Sequence, residues 1–316
     1  MNKGLGNKHT IHSQHQHMTW DNATPPAITV APGDVVTFDE IDAVCGQIAP
    51  ESGVEVITNL DFARVNPVAG PVYVDGAEPG DALKVTLLDF SPSGWAWTAI
   101  VPGFGLLADD FPEAWLNIWS CDKTFAEPAA FADFARVPLK PFCGTTGVAR
   151  AVPGGHSTIP PYDTGGNMDI RDLALGVDLY LPVRVEGALF SIGDPHCGQG
   201  DGEVCGTAIE SPMGVTAKLD LVKGENLKFP RFETPGPVSR HLDGKGYEVT
   251  TGIGPDLMEA SQNAVRGMIE RIAKSKGLSA ANAYMLCSVC ADMRISEIVD
   301  QPNWVVSCYL PNIVFE

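Results

Sequence analysis

The sequence predicts a mainly β protein, a jelly-roll-like β-sandwich with a smaller C-terminal α+β lobe. Its 316 residues include 33 glycines and 25 prolines, which fall at short intervals between Pro25 and Pro237 and divide the chain into strand-length pieces. Many of these pieces are rich in β-branched residues. The one long helical repeat of apolar residues comes near the C terminus, so the helices are expected there.

Strands are predicted throughout the first part of the chain, each a β-branched run between two breaks. The clearest of these runs are residues 27–30, 34–38, 83–90, 177–185 and 215–221. A further apolar strand, residues 188–192, leads into a glycine-rich segment, and residues 203–210 are predicted to resume as a strand.

The character of the sequence changes near Tyr247. Apolar residues recur at spacings of three and four over residues 255–276, and Gly277 can end that helix. Ser279 can cap a second helix over residues 280–290, which the predicted strands 295–299 and 304–310 follow. We therefore divide the chain into a β-sandwich domain, residues 1–246, which carries the catalytic loop, and an α+β lobe, residues 247–316, packed on it.

Charge and composition exclude several classes of protein. Lysine and arginine number 21 against 39 aspartates and glutamates, a net charge of −18, so neither a nucleic-acid groove nor an anionic membrane patch is expected. The longest uncharged stretch, residues 90–108, is broken by five prolines and glycines, which argues against a membrane span. Residues 1–20 lack the apolar core of a signal peptide, so a cytoplasmic protein with eight reduced cysteines is expected.

The densest polar segment covers residues 193–203, Gly-Asp-Pro-His-Cys-Gly-Gln-Gly-Asp-Gly-Glu, with Glu210 seven residues further on. Asp194, His196, Glu203 and Glu210 offer oxygen and nitrogen ligands, and the glycines let the backbone bend them toward one point. These residues predict a metal loop at the mouth of the sandwich. The structural alternative is a glycine-rich hairpin whose carboxylates cap turns.

Two other interpretations of this metal loop stay open. A cupin-like enzyme also combines glycine, histidine and glutamate in a β-fold, but it uses His-x-His where this chain has Asp194-Pro195-His196. A non-catalytic jelly-roll module could hold calcium through the oxygen ligands of this loop. Calcium has little use for imidazole, so His196 favours zinc or another transition metal.

The segment 190–210, with Gly-Gly-Asn-Met-Asp at residues 165–169, resembles the acetamidase/formamidase family. Further similar segments cover nearly the whole chain, at residues 28–34, 61–70, 74–84, 102–105 and 288–300. The resemblance implies hydrolysis of a short aliphatic amide, formamide or acetamide, to a carboxylate and ammonia. It also implies a jelly-roll-like β-domain with a smaller α/β part.

Amide hydrolysis needs an activated nucleophile, stabilisation of the oxyanion and an acid for the leaving nitrogen, and a divalent metal can supply the first two. We predict zinc, with calcium as the alternative, held by Asp194 and His196 and by a third ligand. That third ligand is Asp42 or an N-terminal histidine, with His15 and His17 as the candidates. Glu203 is the predicted general base. Gln199 and Asn167 are the predicted substrate contacts.

Several assignments depend on geometry that the sequence leaves open. On a straight strand Glu210 would face away from Glu203, unless glycines bend the chain. Cys197 is either a small wall residue or a nucleophile. Asp169 either closes on a ligand or joins an ion-pair cluster with Arg171 or Asp172.

Two further expectations concern the pocket and the assembly. The aromatic residues on either side of segment 102–107 are expected in the core, or else as an apolar lid over a small pocket that suits one or two carbons. The apolar strands near the C terminus suggest a homo-oligomer, most simply a dimer.

Overall fold

The structure is a computed structural model that describes residues 6–133 and 135–315, so part of the N-terminal segment discussed above lies outside the described residues. Strands predominate in the described part of the chain. In chain order they are β1 Lys8–Ile11, β2 Gln16–His17, β3 Thr19–Trp20, β4 Ile28–Val30, β5 Val35–Ile41, β6 Val68–Val74, β7 Ala82–Pro92, β8 Trp95–Ile100, β9 Trp115–Ser120, β10 Ala129–Phe131, β11 Ala135–Val137, β12 Phe142–Val148, β13 His156–Ser157, β14 Pro161–Tyr162, β15 Gly165–Asn167, β16 Asp178–Pro182, β17 Phe190–His196, β18 Met213–Val222, β19 Arg231–Glu233, β20 Tyr247–Gly254, β21 Asp292–Glu297 and β22 Trp304–Pro311.

The α-helices of the described residues are a single turn, α1 (Glu55–Thr58), and two longer helices, α2 (Leu257–Lys276) and α3 (Ala280–Cys290). As predicted, the Asp256 carboxylate caps α2 and the Ser279 hydroxyl caps α3, while Gly277 ends α2 in the left-handed conformation at φ 70°. Within the described residues, no helix is both long and apolar enough to cross a membrane.

Two large sheets form the main body of the protein. One has the strand order β1-β5-β18-β7-β16-β19, and the other has the order β14-β15-β12-β17-β6-β2 with β4 beside β6. Their inner faces share one continuous apolar core, in which the rings of Phe38 on β5 and Phe190 on β17 lie with centroids 6.0 Å apart. The prediction of a mainly β fold is confirmed, and the shared core makes the body a β-sandwich.

One predicted strand is wrong. Residues 203–210 form turns, in which the Glu203 N–H donates to Gly200 O and the Gly206 N–H donates to Glu203 O. Gly202 and Gly206 have φ angles of 109° and 88°, a region that interrupts a strand and favours glycine. Only Glu210 re-enters β structure, through isolated bridges to Trp97 and His196.

The C-terminal lobe braces this turn-rich segment. Its sheet, β20-β22-β21, starts at Tyr247, and the buried side chains of α2 and α3 belong to the same core as the sandwich. From α3, the Ser288 hydroxyl donates to Thr207 O at 2.7 Å and accepts from the Cys205 N–H at 3.1 Å. The Tyr284 hydroxyl donates to Val204 O. The lobe therefore fixes residues 204–207, which lie between two acidic site residues.

Candidate functional site

The centre of the site is strand β17, in the middle of the second sheet. Asp194 and His196 are two residues apart on this strand, which places both side chains on one face. The His196 side chain is fully buried, and its ring meets the edge of Phe142 at a centroid distance of 4.8 Å. Gly144 on β12 lies opposite Asp194, because Cys143 pairs with Pro195 and Thr145 pairs with Gly193.

Four carboxylates surround the His196 imidazole. The Nε2 atom lies 3.0 Å from Glu210 Oε2 and 3.3 Å from Asp194 Oδ1. Asp169 and Glu203 form a second group with His196, and within each group the potential ligand atoms lie within 4.8 Å of one another. The turns that replace the predicted strand thus bring both Glu203 and Glu210 to one site.

Gln199 sets the orientation of the imidazole from behind. Its Nε2 donates to the Asp169 carbonyl at 2.8 Å, which turns its Oε1 toward His196 Nδ1 at 3.1 Å. In this arrangement Nδ1 donates to Gln199 and Nε2 faces the carboxylates. Burial lowers the pKa of the imidazole, but the charges of Glu210 and Asp194 outweigh burial and raise that pKa well above its ordinary value. Gln199 does not line the cavity, so the structure gives it a positioning role in place of the predicted substrate contact.

The electrostatics of the cluster favour a bound positive charge. No lysine or arginine is among the residues that line the cavity, and Arg171 is paired with Asp292 and Asp201 instead. Burial, followed by the charge of Asp194, raises the pKa of Asp169 to about 7. Burial also raises the pKa of Glu203 and of Glu210. Buried carboxylates in this number need protons or a cation to balance them.

The donor atoms fit a divalent metal ion. His196 Nε2, Glu210 Oε2 and Asp169 Oδ1 are buried atoms that make no well-oriented hydrogen bond within the described residues, although Nε2 and Oε2 lie only 3.0 Å apart. Zinc binds imidazole nitrogen and carboxylate oxygen, and catalytic zinc sites typically use three protein ligands. Asp194, His196 and Glu210 can supply three such ligands.

Three of the acids have an unusual backbone conformation. Asp169, Asp194 and Glu203 have φ angles of 49°, 55° and 42°, in the left-handed region that side chains other than glycine rarely adopt. Other residues of the described chain, such as Ala188 and Leu189, share this conformation, so it does not mark the site by itself. At the three acids it accompanies burial and mutual proximity, which is the combination found at functional sites.

The remaining predicted site residues lie in different places. Asn167 lines the cavity, and its Oδ1 accepts from Thr145 Oγ1 at 2.5 Å, which leaves its NH₂ group as the donor available to a substrate. The Asp42 carboxylate lies outside both acidic groups and accepts the backbone N–H groups of Val44 and Gly46. Glu210 lies in the group with Asp194 and His196, whereas Asp42 does not.

The N-terminal histidines and Cys197 also lie outside the two groups. His15 is exposed, and His17 bonds Ser191 Oγ at 2.9 Å through its Nε2. Cys197 is fully buried, and a hydrogen bond with Cys121 together with burial raises the pKa of its thiol. A thiol held in its neutral form is a poor nucleophile, which favours the interpretation of Cys197 as a small wall residue.

The sequence analysis did not assign two important residues. Asp169 enters the site because its backbone N–H donates to the Gly144 carbonyl at 3.2 Å, a contact between distant parts of the chain. Trp97 lines the cavity, is 3% exposed and has a buried indole N–H without a partner among the described residues. The Gly-Gly-Asn-Met-Asp segment that ends at Asp169 was the available signal for the first, and the aromatic residues beside segment 102–107, Trp97 among them, were the signal for the second.

The acidic cluster lies at one side of a cavity of about 630 Å³. Most of the other lining residues are apolar, and Asn66, Asn167, Thr207 and Gln262 are the uncharged polar ones. A concave apolar pocket with a few convergent polar groups is the usual form of a small-molecule site.

Comparison with known proteins relates the chain to one family over its whole length. The model of the acetamidase/formamidase family matches residues 5–153 and 149–316. A formamidase of Methylophilus methylotrophus is 28% identical over 95% of this chain and 89% of its own. An acetamidase of Mycolicibacterium smegmatis is 32% identical over 66% of each chain. The solved structure of a gamma lactamase from Delftia acidovorans superposes with a TM-score of 0.89 at 27% identity, covering 98% of this chain and 93% of that one.

Proposed function

This chain belongs to the acetamidase/formamidase family and is an amidase, and we propose that it hydrolyses its amide to a carboxylate and ammonia with the help of a divalent metal ion held by Asp194, His196 and Glu210. The observation that carries the proposal is the buried Nε2 of His196, 3.0 Å from Glu210 Oε2 and 3.3 Å from Asp194 Oδ1 and without a well-oriented hydrogen bond, beside a cavity lined by no lysine or arginine. Zinc is favoured over calcium because the set includes an imidazole nitrogen.

When bound there, such an ion supplies Lewis-acid polarisation of the amide carbonyl and lowers the pKa of water. Glu203 and Asp169 lie side by side next to the ligand set, with carboxyl oxygens within 4.8 Å of each other. Glu203 takes the proton from the attacking water and delivers it to the leaving nitrogen, which must be protonated to depart as ammonia. Asp169 holds Glu203 in place and shares the proton between these two transfers.

The substrate amide is oriented by the neutral polar groups of the cavity. The Asn167 NH₂ group is the donor available to the carbonyl oxygen, since the Asn167 oxygen is engaged by Thr145. Gln199 accepts a hydrogen bond from His196 Nδ1 and so holds the ring with Nε2 directed at the proposed metal position. These side chains are set by neighbouring hydrogen bonds before substrate arrives, so little reorganisation is needed during the reaction.

A cyclic amide is a second candidate substrate. The observation that favours it is the close superposition on the gamma lactamase, which extends over nearly the whole chain. Ring opening of a γ-lactam uses the same proton transfers, but the released amine stays attached to the carboxylate product. Formamide and acetamide, the substrates implied by the family resemblance, remain the open-chain candidates.

The test combines metal analysis with product detection. Purified protein is expected to contain about one divalent ion per chain, and a strong chelator is expected to remove both the ion and the hydrolysis of amides. Adding zinc back is expected to restore activity. Ammonia release is followed for the open-chain amides and ring opening for γ-butyrolactam. Full activity in protein shown to be metal-free contradicts the metal proposal and leaves the amidase assignment in place.

We also propose a cytoplasmic location and a dimeric assembly. All eight cysteines are free, as a reducing compartment would keep them. Val249, Ile253 and Ile295 are exposed on the C-terminal sheet, where a second copy could cover them. A monomeric mass by light scattering at micromolar concentration contradicts the dimer.

A further inference from the structure

The cavity is much larger than the shortest amides require. At about 30 Å³ for each water-sized group, the four heavy atoms of acetamide would fill roughly a fifth of the 630 Å³ available. Cavities of this size typically take ligands of drug-like dimensions. The small pocket expected from the sequence is therefore not what the structure shows.

The cavity has two chemically distinct parts. The charged residues that line it, Asp169, Asp194, Glu203 and Glu210, all belong to the acidic cluster, whereas most of the other lining residues are apolar and form an apolar wall. A second hydrophobic cluster, separate from the main core, contributes Val44, Trp97 and Val101 to this wall, and Trp97 adjoins the acidic cluster through its bridge to Glu210. The packing of these side chains gives the wall a fixed shape before a ligand arrives.

The apolar surface continues to the mouth of the cavity. Phe62, Phe104 and Met258 line the cavity and are exposed by 57%, 47% and 60%. Large side chains that stay exposed around a concave site commonly mark a surface that an apolar ligand covers. No lining residue is a lysine or arginine, so a ligand with a carboxylate in this part of the cavity would find no cationic partner.

We propose that the enzyme is specific for amides whose acyl group carries an extended, uncharged apolar chain or ring. The amide lies at the acidic cluster, and the apolar part of the substrate lies against the apolar wall, which includes Val44, Trp97 and, at the mouth, Phe62. This inference rests on the proposed function, because it places the scissile amide at the site of hydrolysis. It makes formamide and acetamide poor substrates that leave most of the cavity filled with water.

The first test is a chain-length series. Each methylene that remains in contact with the wall contributes about a fourfold gain, so kcat/KM is expected to rise about 10²-fold from acetamide through butanamide to hexanamide. The monoamide of adipic acid has nearly the same length but ends in a carboxylate. It is expected to be at least about tenfold worse than hexanamide.

The second test uses a wall variant with a matched control. Phe62→Ala is expected to lower kcat/KM for hexanamide about tenfold, and the ratio of kcat/KM for hexanamide to that for acetamide is expected to fall with it. Phe62 is largely exposed, so its truncation leaves the core intact. Phe229 is 68% exposed and lies outside the cavity, and Phe229→Ala is expected to change neither value.

Binding provides a readout that does not depend on turnover. Metal-loaded Glu203→Gln protein, titrated calorimetrically with acetamide and hexanamide, is expected to bind hexanamide more tightly. A kcat/KM series that is flat or falls with chain length, together with equal binding, overturns the substrate inference and leaves amide hydrolysis standing. Absence of product from every amide, with hexanamide still bound more tightly, contradicts the proposed function and supports the apolar-ligand assignment.

Discussion

Replacing Gly144 by alanine is expected to disable the enzyme, although residue 144 supplies no functional group. Gly144 lies on β12 opposite Asp194, and a Cβ atom there would overlap Asp169 Oδ1. The same atom would lie 2.6 Å from Asp194 Oδ2 and 3.0 Å from His196 Cε1. The missing side chain of Gly144 thus provides the space in which the acidic cluster is assembled.

The magnitude follows from these distances. An ordinary contact to a Cβ atom begins at 3.4 Å, so Asp194 must move by about 0.8 Å and Asp169 by more. Misplacing catalytic groups by about 1 Å costs on the order of 10²-fold in rate, and overpacking a close-packed site costs about 1–3 kcal/mol of stability. Gly144→Ala is therefore expected to lose about 10²-fold in kcat/KM, to bind metal more weakly and to remain folded.

Amide hydrolysis, metal content and thermal unfolding of the same preparation decide the matter. Gly198→Ala is the matched control, since Gly198 is also buried near His196, but a Cβ there would meet its nearest neighbours at 3.6 and 3.7 Å. That variant is expected to behave like the wild type. A Gly144→Ala protein with wild-type metal content and turnover would refute the steric reasoning.

Three further predictions concern other side chains. Glu203→Gln is expected to keep the metal and lose about 10²-fold or more in turnover, and wild-type turnover by this protein would end the role of Glu203 as base. His196→Ala is expected to lose metal and activity together, so full occupancy in elemental analysis would contradict its role as ligand. Burial, with the charges of Lys140 and Arg171, lowers the pKa of His241 to about 4. In the unfolded chain His241 has a pKa of about 6.5 and binds a proton that the folded protein does not bind. The free energy of unfolding should therefore decrease as the pH is lowered from about 6.5 toward about 4, and the decrease should be about 2 kcal/mol at pH 5. Urea unfolding at pH 5 and pH 8 checks this, and a His241→Gln variant with the same pH dependence as the wild type would argue against it.

The strands and helices were predictable because local signals set their limits. Glycine and proline breaks separated the strands of the sandwich, and periodicity together with Ser279 and Gly277 predicted helices that the structure places at residues 257–276 and 280–290. The predicted strand over residues 203–210 failed for a local reason as well. Gly202 and Gly206 both adopt positive φ, and the sequence analysis had weighed this bending only as an exception.

The site was predictable only where its residues are close in sequence. Asp194, His196 and Glu203 lie within one segment, so their chemistry was visible from their order. Asp169 and Gly144 join them through strand pairing and hydrogen bonds between distant segments, which no spacing in the sequence encodes.

Gln199 and Asp42 show that the sequence does not reveal whether a polar side chain is free to bind a ligand. Each has the right chemistry near the site, but neighbouring groups use its polar atoms. Gln199 is held between His196 and the Asp169 carbonyl, and Asp42 accepts two backbone N–H groups of its own turn. Whether a polar side chain is available to a ligand depends on such partners, which become known only from the fold.

The position of the C-terminal lobe explains how a segment without regular structure can hold a strained site. Glu203 and Glu210 belong to turns that a sheet does not stabilise, yet both must stay within a few ångströms of His196. The hydroxyl groups of Tyr284 and Ser288 on the fully packed helix α3 bind the backbone between them. Because a buried helix is among the most rigid supports available, the lobe takes part in positioning the acids. The boundary near Tyr247 separates a mainly β part from an α+β part, whereas the candidate site depends on both sides of it.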